Sequence, residues 1–259
     1  MIKLLMIQPE NGELNRFRRL QFNNFSQITI PYLAAFVDEH FYETTLIDEY
    51  CQRIPYSERF DLVAITVNTP NALHSYEIAA KFRMSGAKIV MGGPHSTLLP
   101  DEVRKHCDFL FTGESESTWP RFLEDYRNGT VQKLYSNNEP PCLKHLPLPR
   151  WDLIKRQRIM KGAVFATRGC PYHCRYCNLK QIYYDSFRVR PIEDVVAEIK
   201  VLPSKFFVFW DDNLFADKAF ILSGCIGKRL PDRGKQESFS ARAAMHWDPW
   251  SLSVREACL

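Results

Sequence analysis

Short apolar or β-branched runs alternate with helical patterns over the first 130 residues, and this alternation restricts the fold most. The run Asp61–Val67 (DLVAITV) is almost wholly apolar, as expected for a strand buried on both faces. Strands that alternate with helices predict an α/β fold with a doubly wound, Rossmann-like parallel sheet. We predict strands at Ile2–Gln8, Glu43–Asp48, Asp61–Val67, Lys88–Gly93 and Asp108–Gly113, and helices at Ile30–Phe41, Asn71–Ala87, Pro100–His106 and Thr118–Arg127.

Ligands of such sheets bind beyond the carboxyl ends of the strands. The loops expected there are Val67–Asn71, Gly92–Ser96 and Thr112–Ser117. Gly92 and Gly93 would let the backbone approach a ligand closely, but tight turns explain both glycines equally well. His95 taken alone is interpreted as a solvated loop histidine. No GxGxxG follows the first strand, so the loops do not indicate a dinucleotide.

Composition excludes several classes of function. Hydrophobic residues make up 45% and charged residues 25%, as in a soluble globular protein. The net charge of +4 is small and the basic residues are scattered, so no nucleic-acid partner is expected. No stretch approaches the roughly 20 apolar residues of a membrane span, and the first residues do not form a signal peptide. Eight cysteines without a disulfide pattern predict a cytoplasmic protein.

The chain divides into two predicted domains. Residues 1–130 form the α/β domain, the proline-rich and non-periodic residues 131–160 form a linker, and residues 161–259 form a second domain. In the second domain we predict a helix from Ile192, a strand at Phe206, a helix from Ala216, a strand near Ser238 and a helix from Trp250.

The segment Thr167–Asn178 (TRGCPYHCRYCN) places Cys170, Cys174 and Cys177 within eight residues. A structural zinc site usually needs four ligands from two separated pairs, and the sequence has no second pair. His173 lies inside the loop that would have to wrap the metal, so it is a poor fourth ligand. Each of the five isolated cysteines is expected to be a small buried side chain.

Three thiolates on one compact loop favour a cubane iron–sulfur cluster. Each cysteine would hold one iron, and the fourth iron would stay open. An open coordination position is what a catalytic metal centre needs. The spacing of the cysteines after a strand and before a helix therefore favours a catalytic [4Fe-4S] cluster over zinc.

The stretch CPYHCRYC, with an aromatic residue before the third cysteine, resembles the CxxxCxφC signature of the radical S-adenosylmethionine superfamily. The flanking segments SFRVRPIEDVVAEIKVL and KFFVFWDDNLFADKAF resemble members that carry an N-terminal cobalamin-binding domain. The segments DLVAITVNTP, IVMGGPHSTLLPDEV and DFLFTGESESTWPRFL are similar to that domain, and LPLPRWDL to the link that follows it. The resemblance covers nearly the whole chain.

This resemblance implies a partial (β/α)6 barrel after the cobalamin-binding sheet, and residues 161–259 provide its first half. Cys170, Cys174 and Cys177 would hold the cluster, which would cleave S-adenosylmethionine reductively to a 5′-deoxyadenosyl radical. The implied function is cobalamin-dependent methyl transfer, or related radical chemistry, on a small-molecule substrate. Flavodoxin or ferredoxin would supply the electron.

The resemblance also assigns roles to single residues. Tyr176 would pack near the adenine, although a plain core aromatic is the alternative. Asp211 and Asp212 would hold the amino group of S-adenosylmethionine, unless one of them caps the next helix. Arg242 is a further candidate for the same cavity. Candidates for the cobalamin site are Thr66, Asn68, Gly92, Gly93, His95, Gly113 and Glu114.

The sequence departs from the family pattern in two places. Gln8–Gln27 contains no histidine, whereas domains that ligate cobalt through histidine carry DxHxxG there. The second domain offers three strand–helix units instead of six, so a C-terminally truncated chain is expected. Its open third strand would then favour self-association. The competing hypotheses are a non-catalytic remnant that binds only a cluster or a corrinoid, and a zinc-binding α/β module.

Overall fold

The computed structural model describes residues 1–11, 27–137, 139–154, 162–202, 207–214 and 216. The chain divides into two compact units. The first unit contains Met1–Pro141 and Pro147–Met160, and the second contains Cys142–Leu146 and Lys161–Leu259. Within the described ranges, no helix is long and apolar enough to cross a membrane.

The first unit is built on a six-stranded sheet in which all neighbouring strands are parallel. The strand order is β2-β1-β3-β4-β5-β6, so the chain winds outward in both directions from β1 and β3. The strands are β1 (Ile2–Gln8), β2 (Tyr42–Asp48), β3 (Leu62–Thr66), β4 (Lys88–Gly92), β5 (Phe109–Thr112) and β6 (Leu134–Ser136). This topology confirms the predicted parallel α/β sheet of the Rossmann-like type.

Helices connect these strands. They are α1 (Thr29–Ala34), α2 (Ala72–Met84), α3 (Pro94–Leu98), α4 (Pro100–Val103) and α5 (Thr118–Asn128), with 3-10 turns at Thr69–Asn71, Arg104–His106 and Trp151–Leu153. Helix α5 buries Trp119, Phe122 and Leu123 at helical spacing and ends at Gly129, whose φ of 74° is left-handed.

Burial explains why the central strands are so apolar. All five residues of β3 are buried, and so are the last five of β1. A parallel strand covered by helices on both faces has no solvent side, so it gains from apolar residues at consecutive positions.

The first helix is shorter than the predicted Ile30–Phe41. After α1 the amides of Ala35, Phe36 and Val37 each donate to the carbonyl three residues earlier, at 3.1–3.2 Å. The helix therefore tightens into turns, and the chain reverses at Asp38, whose carbonyl accepts the amide of Tyr42.

Strand β6 lies within residues 131–160, which the sequence analysis assigns to the linker. Its three residues pair with Leu110–Thr112 of β5, and Tyr135 is buried against Phe111 at 5.1 Å between ring centroids. A strand of three residues is too short to show a periodicity, so its sequence reads as irregular.

The second unit begins with a parallel pair, β7 (Gly162–Val164) and β10 (Phe207–Phe209), and helix α7 (Ile192–Val201) lies between them in the chain. Strand β8 (Thr167–Gly169) pairs antiparallel with β9 (Phe187–Val189). Helix α6 (Leu179–Ile182) follows the cysteine segment. The predicted helix from Ile192 and the strand at Phe206 are thus confirmed.

The rest of the predicted barrel is not described. The helix from Ala216, the strand near Ser238, the helix from Trp250 and Arg242 lie outside the described residues, apart from Ala216 itself. What the structure provides is one β–α–β unit with a short antiparallel ribbon, and the barrel remains a prediction.

Candidate functional site

The carboxyl edge of the first sheet is the place where a doubly wound fold binds ligands. In the order β2-β1-β3, the winding of the chain changes direction between β1 and β3, and folds of this kind bind ligands beyond the carboxyl ends of the two strands at that point. The loops after β3, β4 and β5 reach the same edge because the strands are parallel. The structure therefore brings together the seven cobalamin candidates, which are Thr66, Asn68, Gly92, Gly93, His95, Gly113 and Glu114.

Asn71 ties the loop after β3 to the loop after β1. Its side-chain oxygen accepts the amide of Asn68 at 2.8 Å, and its side-chain nitrogen donates to the Pro9 carbonyl at 3.1 Å. The Ser75 hydroxyl donates to the Asn71 carbonyl at 2.8 Å. Asn71 is buried, so these bonds replace the water that its amide loses.

Gly92 and Gly93 serve the packing of the edge itself. Gly93 has a φ of 110°, and a Cβ there would lie 2.8 Å from the Val67 carbonyl oxygen. A Cβ on Gly92 would lie 3.1 Å from Cβ of Phe111, and the Gly92 carbonyl accepts the Val67 amide at 2.7 Å. The space next to these glycines is occupied by the neighbouring strands, which supports the tight-turn interpretation.

His95 is not a solvated loop histidine, because its side chain is held inside the first unit. The residue is 3% exposed, and its Nδ1 lies 3.1 Å from the Thr69 hydroxyl. Its Nε2 lies 3.5 Å from Glu102, and its amide donates to the Val67 carbonyl at 3.1 Å. The sequence analysis takes Gly92–Ser96 as an open loop, whereas α3 starts at Pro94 and turns His95 inward.

The loop after β5 is held in a similar way. Gly113 has a φ of 74°, and its amide donates to the Thr97 hydroxyl at 2.9 Å. Glu114 is buried, and its carbonyl accepts the side chain of Asn137 at 2.5 Å. Thr66 is buried at the end of β3. These contacts hold the strand ends to one another.

Two buried polar residues at this edge were missed by sequence reasoning. Gln8 and Asp48 are register partners at the carboxyl ends of β1 and β2. Burial raises the pKa of Asp48 from 3.8 to about 6, while a hydrogen bond from the Tyr50 amide lowers it. The signal in the sequence is a polar residue that ends an otherwise apolar strand.

The cysteine segment of the second unit follows β8 directly. Gly169 ends β8 with a φ of 82°, and a Cβ there would overlap the Ser186 carbonyl oxygen. Cys170 is partly buried, Cys174 and Cys177 are exposed, and all three are free thiols. The Cys177 amide donates to the Cys174 carbonyl at 3.0 Å, which closes a turn between the last two cysteines.

The donor set of this loop consists of three cysteine sulfurs. Among the described side chains, no group of three His, Cys, Asp or Glu is arranged to hold one metal ion. A cubane cluster distributes its cysteines over different irons, so its ligands need not meet at one point. His173 is exposed and lies 3.2 Å from Lys180 and 3.7 Å from Asp185. Its contacts are therefore with these two side chains.

The other cysteines of the chain differ from expectation in part. Cys142 is exposed, whereas it was expected to be buried, because it lies in an irregular segment. Cys51 and Cys107 are partly buried, and burial raises the pKa of both thiols, to about 12 and about 11. Cys225 and Cys258 lie outside the described residues.

Asp211 and Asp212 follow β10 and contact the strand that leads into the cysteine loop. Asp211 accepts the Ala166 amide at 3.0 Å, the Thr167 hydroxyl at 2.6 Å and also the Thr167 amide. Asp212 accepts the Gly169 amide at 3.2 Å. Burial raises the pKa of Asp211 to about 6, and its hydrogen bonds to Thr167 and Ala166 lower it.

Asn213, which sequence reasoning passed over, also contacts the loop. Its amide nitrogen lies 3.4 Å from the Cys170 sulfur. Tyr176 is 72% exposed, so it is not a core aromatic of the described structure. A role of Tyr176 at an adenine stays a prediction.

Comparison with known proteins finds a matching domain model and similar methyltransferases. Residues 23–123 match the family model described as B12 binding domain. Bacteriochlorophyllide d C-8(2)-methyltransferase of Chlorobaculum tepidum is 30% identical over 66% of this chain and 38% of its own length. The C-12(1)-methyltransferase of the same organism is 30% identical over 73% of this chain and 44% of its own. The chain thus spans less than half the length of either relative.

A solved structure has the same fold. The radical S-adenosylmethionine methyltransferase TsrM from Kitasatospora setae, with cobalamin and a [4Fe-4S] cluster bound, aligns with a TM-score of 0.62 at 16% identity. The alignment covers 88% of this chain and 52% of TsrM.

These findings identify one domain of the chain and its similarity to known methyltransferases. The sheet and the family match together show that the chain contains a B12-binding domain. More particularly, the chain is a homologue of methyltransferases that act on bacteriochlorophyllide d in Chlorobaculum tepidum.

Proposed function

We propose that this chain acts in cobalamin-dependent radical S-adenosylmethionine chemistry, most simply as a methyltransferase. The observation that carries the proposal is the loop with three free thiols, Cys170, Cys174 and Cys177, in a chain that also contains a B12-binding domain. The homology to methyltransferases supports methyl transfer over other radical reactions.

The first unit would bind the corrinoid at the carboxyl edge of its sheet. Its loops are tied together by Asn71, Gly93 and Gly113, so the edge is shaped before a ligand arrives. His95 is buried inside this unit, its Nδ1 is hydrogen-bonded to Thr69, and its Nε2, without a hydrogen bond to a described residue, lies 3.5 Å from Glu102. We therefore propose that it does not ligate cobalt.

The second unit would hold a [4Fe-4S] cluster through its three cysteines. When bound, the cluster supplies an electron and an open iron for S-adenosylmethionine. The hydrogen bonds that Asp211 and Asp212 accept would keep the loop in place, and Asp211, Asp212 and Tyr176 stay the proposed contacts of S-adenosylmethionine. The acceptor of the methyl group would be a small molecule, and a flavodoxin or ferredoxin of the cytoplasm would be the electron donor.

Anaerobic reconstitution with iron and sulfide tests the cluster. The chain should acquire the broad visible absorption and the iron content of one cubane cluster. Cys174→Ala should abolish both, whereas Cys142→Ala, which removes an exposed cysteine of the same unit outside the loop, should leave them unchanged. A chain that retains only zinc would support the zinc-binding module instead.

Turnover separates the enzyme from a remnant. The reconstituted chain with hydroxocobalamin, S-adenosylmethionine and a reductant should form S-adenosylhomocysteine or 5′-deoxyadenosine. Retention of both cofactors without either product would show a binding protein that lacks catalysis.

A further inference from the structure

Three consecutive side chains after β10 contact successive parts of the strand that leads into the cysteine loop. Asp211 binds Ala166 and Thr167, Asp212 binds Gly169, and Asn213 reaches Cys170. The two segments run in the same direction here, so that successive positions of one meet successive positions of the other. The third of these contacts is the one that involves a sulfur atom.

The chemical type of these three side chains changes at Asn213, the one that contacts the sulfur. The two carboxylates accept hydrogen bonds from amides and a hydroxyl. A carboxylate beside a thiolate would repel it, whereas the amide of Asn213 donates an N–H toward the Cys170 sulfur at 3.4 Å. The two carboxylates thus face hydrogen-bond donors, and the amide of Asn213, itself a donor, faces the Cys170 sulfur.

The backbone holds Asn213 in this place. Strand β10 is in register with β7, so that Phe209 is opposite Val164, and the amide of Trp210 donates to the Val164 carbonyl at 2.7 Å. On the other side, the amide of Ala216 donates to the Asn213 carbonyl at 3.3 Å. Asn213 is therefore fixed between a sheet and a turn, and its amide loses little freedom in making the contact.

We propose that Asn213 is a positioning residue for Cys170, whose amide hydrogen bond to the sulfur raises the reduction potential of the bound cluster. Hydrogen bonds to the sulfurs are one of the factors that set the potentials of iron–sulfur clusters. Donation to a cysteine sulfur stabilises the additional negative charge of the reduced cluster, so its removal disfavours reduction. This inference rests on the proposed function, because it requires a cluster on Cys170.

The experiment measures the midpoint potential of the reconstituted cluster by anaerobic titration, followed by paramagnetic resonance of the reduced form. Asn213→Leu keeps the branched shape and the number of heavy atoms but removes the donor, and Asn213→Asp places a carboxylate beside the sulfur. Both should retain the cluster and shift the midpoint potential to more negative values, with the larger shift for Asn213→Asp. Asn178→Leu and Asn178→Asp are the matched controls, since Asn178 is exposed and adjoins Cys177. They should shift the potential less than their counterparts at Asn213.

Iron content and circular dichroism separate the outcomes. A chain without iron in its native form overturns the proposed function, and this inference with it. If the native chain binds its cluster and Asn213→Leu leaves the potential unchanged, the proposed function stands and this inference is wrong. If Asn213→Leu lowers the iron content or disturbs the fold, Asn213→Gln, which keeps the amide, should restore the cluster with a potential nearer to that of the native chain. Failure of that rescue would likewise contradict the inference.

Discussion

The two units hold their candidate sites in different ways. At the edge of the first sheet, the loops are tied by a close backbone approach of Gly93 to Val67 and by the neutral side chains of Asn71 and Thr97. In the second unit, the strand before the cysteines is tied by charged and amide side chains, namely Asp211, Asp212 and Asn213.

The difference between the two units predicts which substitutions each site will not tolerate. The edge of the first sheet depends on a glycine without a Cβ and on the register of parallel strands, so an added Cβ should disturb it. The loop of the second unit depends on hydrogen bonds that two carboxylates accept, so it should be sensitive to the loss of a single side chain.

The ion pair between Arg190 and Glu198 should be the most sensitive point of the second unit. Both side chains are 2% exposed, the Arg190 guanidinium lies 2.7 Å from Glu198, and it also donates to the Phe165 carbonyl at 2.8 Å. Glu198→Ala leaves the arginine buried without its partner, so the free energy of unfolding should fall by about 3–5 kcal/mol. Denaturant unfolding followed by circular dichroism measures the change.

A paired replacement separates charge from packing. Arg190→Met combined with Glu198→Leu should recover most of the stability, because no unpaired charge is left in the interior. Hydrogen exchange of residues 187–202 would locate the effect in the second unit. A double variant as unstable as Glu198→Ala would show that the pair acts through shape instead of charge.

Gly93→Ala should be the substitution that destabilises the first unit most, as Glu198→Ala does the second. The added Cβ combines a left-handed φ with a contact of 2.8 Å to the Val67 carbonyl, so the free energy of unfolding should fall by about 3 kcal/mol. Gly129→Ala is the matched control, since its φ is also positive but no atom lies within 4 Å of the new Cβ. It should cost only about 1 kcal/mol.

The same two glycine variants test the corrinoid site. Gly93→Ala should weaken binding of hydroxocobalamin, measured by equilibrium dialysis, and leave the cluster of the second unit intact. Equal losses for Gly93→Ala and Gly129→Ala would mean that the strand ends do not shape the site.

Asp48 should make the first unit less stable as the pH rises. Its folded pKa of about 6 exceeds its ordinary value of 3.8, so between these values the folded state keeps a proton that the unfolded state releases. The free energy of unfolding should therefore fall across this pH window, by about 3 kcal/mol if Asp48 acts alone. Unfolding titrations from pH 3 to 8 measure the difference between Asp48→Asn and the native chain.

The asparagine variant should lose this part of the pH dependence, whereas Glu58→Gln, which changes an exposed carboxyl, should keep it. If the free energy of unfolding of Asp48→Asn depends on pH as in the native chain, other groups dominate between pH 4 and 6.

Replacement of His95 should have the smallest effect of these changes. Because its imidazole is buried and its Nδ1 is bonded to Thr69, His95→Gln should not change the paramagnetic resonance of bound Co(II) cobalamin. Loss of a nitrogen coupling in His95→Gln, or a coupling to labelled protein histidine, would show that a histidine reaches the cobalt.

Much of the fold was accessible from the sequence because its signals are local. The apolar run of β3 and the helical spacing of Trp119, Phe122 and Leu123 are periodicities within one segment, and the structure confirms both elements. The spacing of Cys170, Cys174 and Cys177 is equally local, and it lies between a strand and a helix as predicted. Each of these features is decided by neighbours along the chain, so the sequence by itself determined them.

Other features depend on residues far apart in the chain, and only the tertiary structure decided them. Strand β6 exists because β5 offers it a free edge, and His95 is buried because α3 turns it toward Thr69, 26 residues earlier. Asn213 meets Cys170 across 43 residues, because β10 returns beside β7. Periodicity and spacing carry no information about such pairs, since burial and hydrogen-bond partners arise only when distant segments pack together.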